Sequence, residues 1–424
     1  MMNLLCAGAT LARDILSLWW PFGHDNIQCA PGRRLRVIGF VRREEFTWKE
    51  EMKNAQAMIE QLRKGGKPVV GCFPLYPPLE LMHSMGLLPV VLWGLRDSVS
   101  DTRDADRHVQ PYACSVARQL AQFVIADGPG LLDGLFFYNA CDTLRNLPEL
   151  LREGIACSRR ITPPMFRVHV PMKEDGASGY LASEIGNLIK ALQASYDVSF
   201  SEERFARSVS LYERARWLCR RLEDAVAEGV LTFAGFSAAL ARANFLAVED
   251  QIALLESALA DCEGSITQPS ATRVIASGIL PPPPVICDLI EQAGLRVAGN
   301  DIASMHRSYA FSPEVWDDVR DYYVAFYRDH FPCTTLLHTA DRRVDAVVDI
   351  VSRRDADAFV FVGEKFCEYE YFELPYLEQQ LKESGVPVLS IEVSIDDDGS
   401  AETFRTRIDA FAELLSGREG RHGA

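Results

Sequence analysis

Cysteine is the residue type best placed to do chemistry in this chain. There are eleven cysteines in 424 residues, an odd number spread over a long sequence, which argues against a disulfide framework. Three of them stand where parallel sheets gather functional groups, at or just beyond the carboxyl ends of strands, and a fourth lies in a loop that enters a helix. Cys72 ends the apolar run 68–72, and Cys141 follows the strand candidate 135–140. Cys367 follows 358–362 across Gly363-Glu364-Lys365-Phe366, and Cys114 sits in Pro111-Tyr112-Ala113-Cys114-Ser115-Val116-Ala117-Arg118, where a loop enters a helix. None belongs to a CxxC pair, which removes zinc ribbons, thioredoxin-like redox pairs and ordinary ferredoxin spacing. Thiols from separate strand ends can still converge on one metal cluster. Equally, a buried cysteine packs well as a small apolar residue. Glu80 in Pro78-Leu79-Glu80-Leu81 reads as a helix-start charge favoured by the macrodipole. His83 falls on the same helical face and reads as a satisfied, half-buried histidine.

Other chemistries lack their signatures. No G-x-x-x-x-G-K-[ST] loop is present, no GxGxxG follows a strand, no GxSxG elbow appears, and the eight histidines form no HExxH pair. The chain has 44 Lys+Arg against 59 Asp+Glu, a net charge of −15, and its field repels phosphate. General nucleic-acid binding and anionic-membrane binding are therefore not expected. No run of about 20 uncharged apolar residues suggests a membrane span. The apolar stretch 4–20 is interrupted by Arg13 and Asp14 and reads as an amphipathic helix rather than a secretory signal. A reducing cytoplasm is the expected compartment.

The elements that must position these residues alternate in type. Strand candidates 68–72, 88–92, 135–138 and 167–170 come first, with helices near 47–63 and 79–85. Residues 183–260 carry almost no strand signal, and 201–228 is helical in period. The pattern then reverts: strand 272–278, helix 285–293, strand 295–298, strand 358–362, helix 373–384, strand 386–391 and helix 401–415. The expected class is α/β, with two parallel-sheet, flavodoxin-like domains joined by a mostly helical segment. The expected divisions are a helical leader at 1–35, an N-terminal α/β domain at 36–182, a helical segment at 183–268 and a C-terminal α/β domain at 269–424.

Four segments in this order resemble a known family. They are GCFPLYPPLELMHSMGLLPVVLWG at 71–94, PYACSVAR at 111–118, NACDTLRNLPELL at 139–151 and FVGEKFCEYEYFELPYLEQQLKESGVPVLSIE at 361–392. Together with SGILPPPPVICDLIEQAGLRVAGNDI at 277–302, they are similar to the 2-hydroxyacyl-CoA dehydratase subunits. The same family includes the related active-site subunits of ATP-dependent benzoyl-CoA reductase.

The resemblance implies one [4Fe-4S] cluster per subunit, held by cysteines that match Cys114, Cys141 and Cys367. It implies an iron without a protein thiolate, and one-electron reduction of an acyl-CoA thioester to a ketyl radical anion. It also implies a homologous second subunit and a separate ATP-hydrolysing iron–sulfur activator. Glu80 matches the Glu of the family's P-x-E motif, which gives it a proton role beside the cluster. Cys72 is not needed by the three-ligand set, and a fourth-ligand or near-cluster role is the alternative to an ordinary core cysteine there. Asp142 and Arg145 are expected to fix the loop at Cys141. The wording Phe73-Pro74-Leu75-Tyr76 leans towards a benzoyl-CoA-reductase-type subunit. The alternatives are a 2-hydroxyacyl-CoA dehydratase subunit, a non-catalytic electron relay, and a structural zinc site on the same cysteines.

Overall fold

The computed structural model describes residues 55–422, apart from 74, 94, 96–97, 100, 172, 174–175, 263–271, 337–338, 340–341, 395–400 and the side chains of 418–422. The expected leader at 1–35, the start of the 36–182 division and the start of the first helix lie outside the described residues.

Two four-stranded parallel sheets form the scaffold. The first contains β1 (Val69–Cys72), β2 (Leu88–Val91), β3 (Gly134–Tyr138) and β4 (Met165–Val168), in the order β2-β1-β3-β4. The second contains β5 (Thr272–Gly278), β6 (Leu295–Ile302), β7 (Ala358–Glu364) and β8 (Val388–Val393), in the order β6-β5-β7-β8. The two orders are equivalent, although no repeat of residue identity reveals it. The continuous apolar runs of the inner strands reflect burial on both faces, whereas the edge strands β4 and β8 alternate in burial. Every residue of β1, β2, β3 and β7 is buried.

The helices around the first sheet are α1 (Ala55–Arg63), α2 (Leu79–Ser84), α3 (Ser115–Ala126) and α4 (Asp142–Cys157). Between the sheets run α5 (Ala177–Tyr196), α6 (Glu202–Glu228), α7 (Phe233–Ala243) and α8 (Val248–Cys262). Ser201 caps α6 by accepting from the Arg204 amide, and Gly229 closes it at a left-handed φ of 75°. The second sheet is flanked by α9 (Pro284–Gln292), α11 (Arg343–Arg353), α12 (Glu368–Glu383) and α13 (Ala401–His422). Between α9 and α11 in sequence comes α10 (Val319–Arg328).

Two helices tie the sheets into one body. Phe205, near the start of α6, packs in the core of the first sheet, while Leu218, Leu222 and Val226 further along pack in the core of the second. In return α10 follows β6 in sequence but sends Val319, Tyr322, Tyr323 and Phe326 into the first core. The described residues accordingly form one compact unit.

Several elements differ from the sequence reading in extent. The fourth strand lies two residues earlier than expected, at Met165–Val168. Both β6 and β7 run on to Ile302 and Glu364, beyond the apolar cores that marked them. The largest shift is in α12, which starts at Glu368, directly after Cys367, rather than at 373.

Candidate cluster site

Cys114, Cys141 and Cys367 share one local geometry: each is the N-cap of a helix. Cys114 caps α3, Cys141 caps α4 at the carboxyl end of β3, and Cys367 caps α12 beyond β7. A helix start leaves unpaired N–H groups and a positive dipole end, both of which favour a thiolate. At Cys141 the contact is explicit, since the Leu144 amide donates to its Sγ at 3.4 Å. All three thiols are half-buried and pack against the first core.

The three thiols are also close enough to feel one another's charge. Burial pushes Cys141 up to about 12, and Cys114 adds to that rise. Burial likewise raises Cys367 well above an ordinary thiol, with Glu370, Cys114 and Cys141 contributing. Cys114 is raised by burial against the pull of the Ala117 and Val116 amides, and Glu370 raises it further. Without a cation these groups stay protonated and inert. A metal centre that supplies positive charge is what makes thiolates of them.

Among the described residues, no three His, Cys, Asp or Glu side chains stand close enough to hold a single metal ion. A zinc site on these cysteines thus finds no support in the geometry. A four-iron cluster makes a different demand, because each thiolate binds its own iron and the sulfurs stand farther apart. Three clustered thiols at helix N-termini, all needing a counter-charge, fit that donor set.

Phe366 sets the position of Cys367. It takes a left-handed φ of 65°, unusual for a bulky residue, and turns the chain after β7 so that Cys367 opens α12. Asp142 and Arg145 pair at 2.9 Å across the first turn of α4, in keeping with a role in fixing that turn.

Glu80 lies apart from this arrangement in its contacts. It is fully buried on α2. It is paired with the Arg216 guanidinium of α6 and accepts from the Tyr322 hydroxyl at 3.1 Å and the Tyr323 hydroxyl at 2.9 Å, both on α10. Tyr323 in turn accepts from the Leu81 amide at 3.0 Å. His83 is satisfied on both sides, with Nδ1 2.8 Å from the Ser208 hydroxyl and Nε2 3.3 Å from Glu249. Cys72 is buried in the first core and touches the Val70 carbonyl oxygen at 3.6 Å and Met82 sulfur at 3.8 Å.

Sequence reasoning passed over the polar residues behind the thiols. Glu370 sits one turn into α12 from Cys367, and its amide donates to the Cys367 carbonyl at 3.2 Å. Arg307 approaches Glu370 at 3.8 Å and is held by Asp301, which also binds Arg343. Arg307 donates to Cys333 at 3.5 Å, and Cys333 neighbours Thr335, which bonds the Tyr138 hydroxyl at 3.0 Å. Only Glu370 had a readable signal, the i, i+3 spacing from Cys367, and it depended on starting the helix at 368. A cleft of about 410 Å³ opens beside α4 at the ends of β3 and β4, lined by Tyr138, Leu144, Arg145, Arg167, His169 and Tyr180 among others.

Among the described residues no helix is long and apolar enough to cross a membrane. Comparison with known proteins points one way. Residues 74–415 match the family model described as 2-hydroxyglutaryl-CoA dehydratase, D-component. The chain is 26% identical to the lactoyl-CoA dehydratase subunit beta of Anaerotignum propionicum, over 85% of this chain and 95% of that one. It is 23% identical to the (R)-phenyllactyl-CoA dehydratase beta subunit of Clostridium sporogenes, over 87% and 97%. It is also 23% identical to a benzoyl-CoA reductase subunit of Thauera aromatica, over 82% and 91%. With four-fifths of its length matched, the chain belongs to the 2-hydroxyglutaryl-CoA dehydratase D-component family.

Proposed function

We propose that this chain is the iron–sulfur subunit of an enzyme complex that delivers single electrons to an acyl-CoA thioester. The observation that carries the reading is the gathering of three half-buried thiols at three helix N-termini drawn from both sheets. Cys114, Cys141 and Cys367 would hold a [4Fe-4S] cluster, which when bound supplies a low-potential electron at a fixed place.

The chain's own residues prepare that place. The starts of α3, α4 and α12 aim backbone amides and dipoles at the sulfurs, which offsets thiolate charge and tunes the potential. The surrounding first core limits water at the sulfurs. The Phe366 turn and the Asp142–Arg145 pair fix two of the three capping positions. Loading such a site releases the thiol protons that burial retains in its absence. Glu80 enters as a carboxylate held by Arg216, Tyr322 and Tyr323, and its expected part in proton movement runs through those two hydroxyls. The partners in this reading are a homologous second subunit, an ATP-hydrolysing iron–sulfur activator and a CoA thioester.

Two reactions have specific support. The wording at 73–76 favours reduction of an aromatic acyl-CoA, whereas the names of the lactoyl- and phenyllactyl-CoA relatives favour removal of water from a 2-hydroxyacyl-CoA. The complex, purified anaerobically with its second subunit, is supplied with activator, ATP and reductant and offered benzoyl-CoA or a 2-hydroxyacyl-CoA. Product mass then separates ring reduction from loss of water. Unchanged thioesters from an iron-loaded complex contradict both. A CoA-thioester photolabel found on the second subunit alone makes this chain an electron relay.

A further inference from the structure

Glu370 is a buried carboxylate whose oxygens accept no hydrogen bond among the described residues. It is 3% exposed, and neither Oε1 nor Oε2 has a hydrogen-bond partner among the described residues. The nearest cation, Arg307 Nη2, stays at 3.8 Å and is already engaged by Asp301 through Nε and Nη2 at 3.0 Å each. A buried charge left in this condition is costly, and proteins rarely keep one without a use. Its position suggests the use. Glu370 lies one helical turn from Cys367, and its charge acts on both Cys367 and Cys114.

We propose that Glu370 is the fourth protein donor of this site, its carboxylate ligating the iron that the three cysteines leave without a thiolate. Carboxylate oxygen is an ordinary donor to iron, and the ligand would satisfy lone pairs that no described residue satisfies by a hydrogen bond. Arg307, fixed by Asp301, stands behind the carboxylate and orients it. An iron held in this way is closed to outside ligands in the resting state, so the cluster of this chain passes electrons without offering a site to the thioester. The inference rests on the reading that Cys114, Cys141 and Cys367 hold a cluster.

The test compares the full-length wild type with Glu370→Gln and Glu370→Cys, each reconstituted anaerobically with iron and sulfide. Cyanide is the probe, followed by electron paramagnetic resonance of the reduced cluster. Glu370→Gln should bind cyanide on the order of tenfold more tightly than the wild type, the scale typical of removing a group that supports a metal. Its midpoint potential should rise, because an anionic ligand is lost. Glu370→Cys should restore resistance to cyanide. Equal cyanide affinity and equal potential in wild type and Glu370→Gln, at equal iron content, overturn the assignment and leave the three-cysteine reading standing. A wild type that takes up no iron overturns both. Should Glu370→Gln not fold, Glu370→Asp decides: its shortened side chain should admit cyanide about tenfold more readily, and uptake equal to the wild type overturns the proposal.

Discussion

Glu80 and Glu370 are both buried carboxylates on short stretches that the family resemblance spans, yet they stand on opposite terms with their surroundings. Glu80 accepts from Arg216, Tyr322 and Tyr323, so its charge is balanced and its lone pairs are used. It joins α2 of the first sheet to α6 and α10, the two helices that tie the sheets together. Glu370 has an arginine nearby, and its oxygens accept no hydrogen bond among the described residues. Burial pushes its carboxyl up to about 7, although Arg307 and Arg343 pull it down. Breaking a satisfied buried pair leaves its partner's charge stranded, whereas an unsatisfied buried carboxylate calls for an explanation of its own.

This contrast can be broken by measurement, and the largest effect belongs to the Glu80 side. Arg216→Ala leaves Glu80 buried without its cation and should cost about 3–5 kcal/mol in urea unfolding. A loss below about 1 kcal/mol, the range of an exposed pair, would mean that the pair is not the joint described here. Glu80→Gln refines the point: if it unfolds like the wild type and only turnover falls, the proton role outranks the structural one.

Asp301 comes next. Burial opposes its charge, but Arg307 and Arg343 more than offset that and hold its carboxyl well below the usual carboxylate range. A depressed folded pKa gives stability that is complete above the unfolded value and is lost as pH falls below it. Unfolding free energy of the wild type should therefore decline on acidification below about pH 4. Asp301→Asn should start lower and lose that part of the acid dependence. An unchanged pH profile would remove Asp301 as the anchor of Arg307.

A smaller effect of opposite sign is expected for Glu370→Gln in the iron-free chain. Removing a buried carboxylate that accepts no hydrogen bond among the described residues should leave stability unchanged or raise it by about 1 kcal/mol. A destabilisation as large as that of Arg216→Ala would show that the two carboxylates do the same work. Smallest of all, Phe366→Gly should relieve a left-handed backbone while loosening the unfolded chain, a net change within about 1 kcal/mol. Iron uptake should be retained.

Much of this architecture was legible. The strands around Val69, Phe136, Val274 and Val360 announced themselves because residues buried on both faces read as continuous apolar runs. The long α6 was visible from its charge and period. The helices after Cys141 and Cys367 were harder, and for the same reason: α4 contains Pro148 and α12 contains Pro375. An internal proline reads as a breaker or a helix start, which hid the fact that both cysteines are N-caps. Cys114, Cys141 and Cys367 were singled out through the family segments, not through spacing. The network of Asp301, Arg307, Arg343 and Glu370 was out of reach because its members are brought together by β6, α11 and α12. The joining of the sheets by α10 depends on tertiary packing that no local pattern encodes.

The central claim is that three cysteines from two sheets hold one cluster, and metal analysis tests it most directly. The full-length chain, reconstituted anaerobically, should carry about four iron and four sulfide per chain. Cys141→Ser and Cys367→Ser should each lose that content, while Cys219→Ser, whose thiol is buried in the second core, should keep it. A colourless, iron-free wild type, or equal iron in all three variants, would contradict the account.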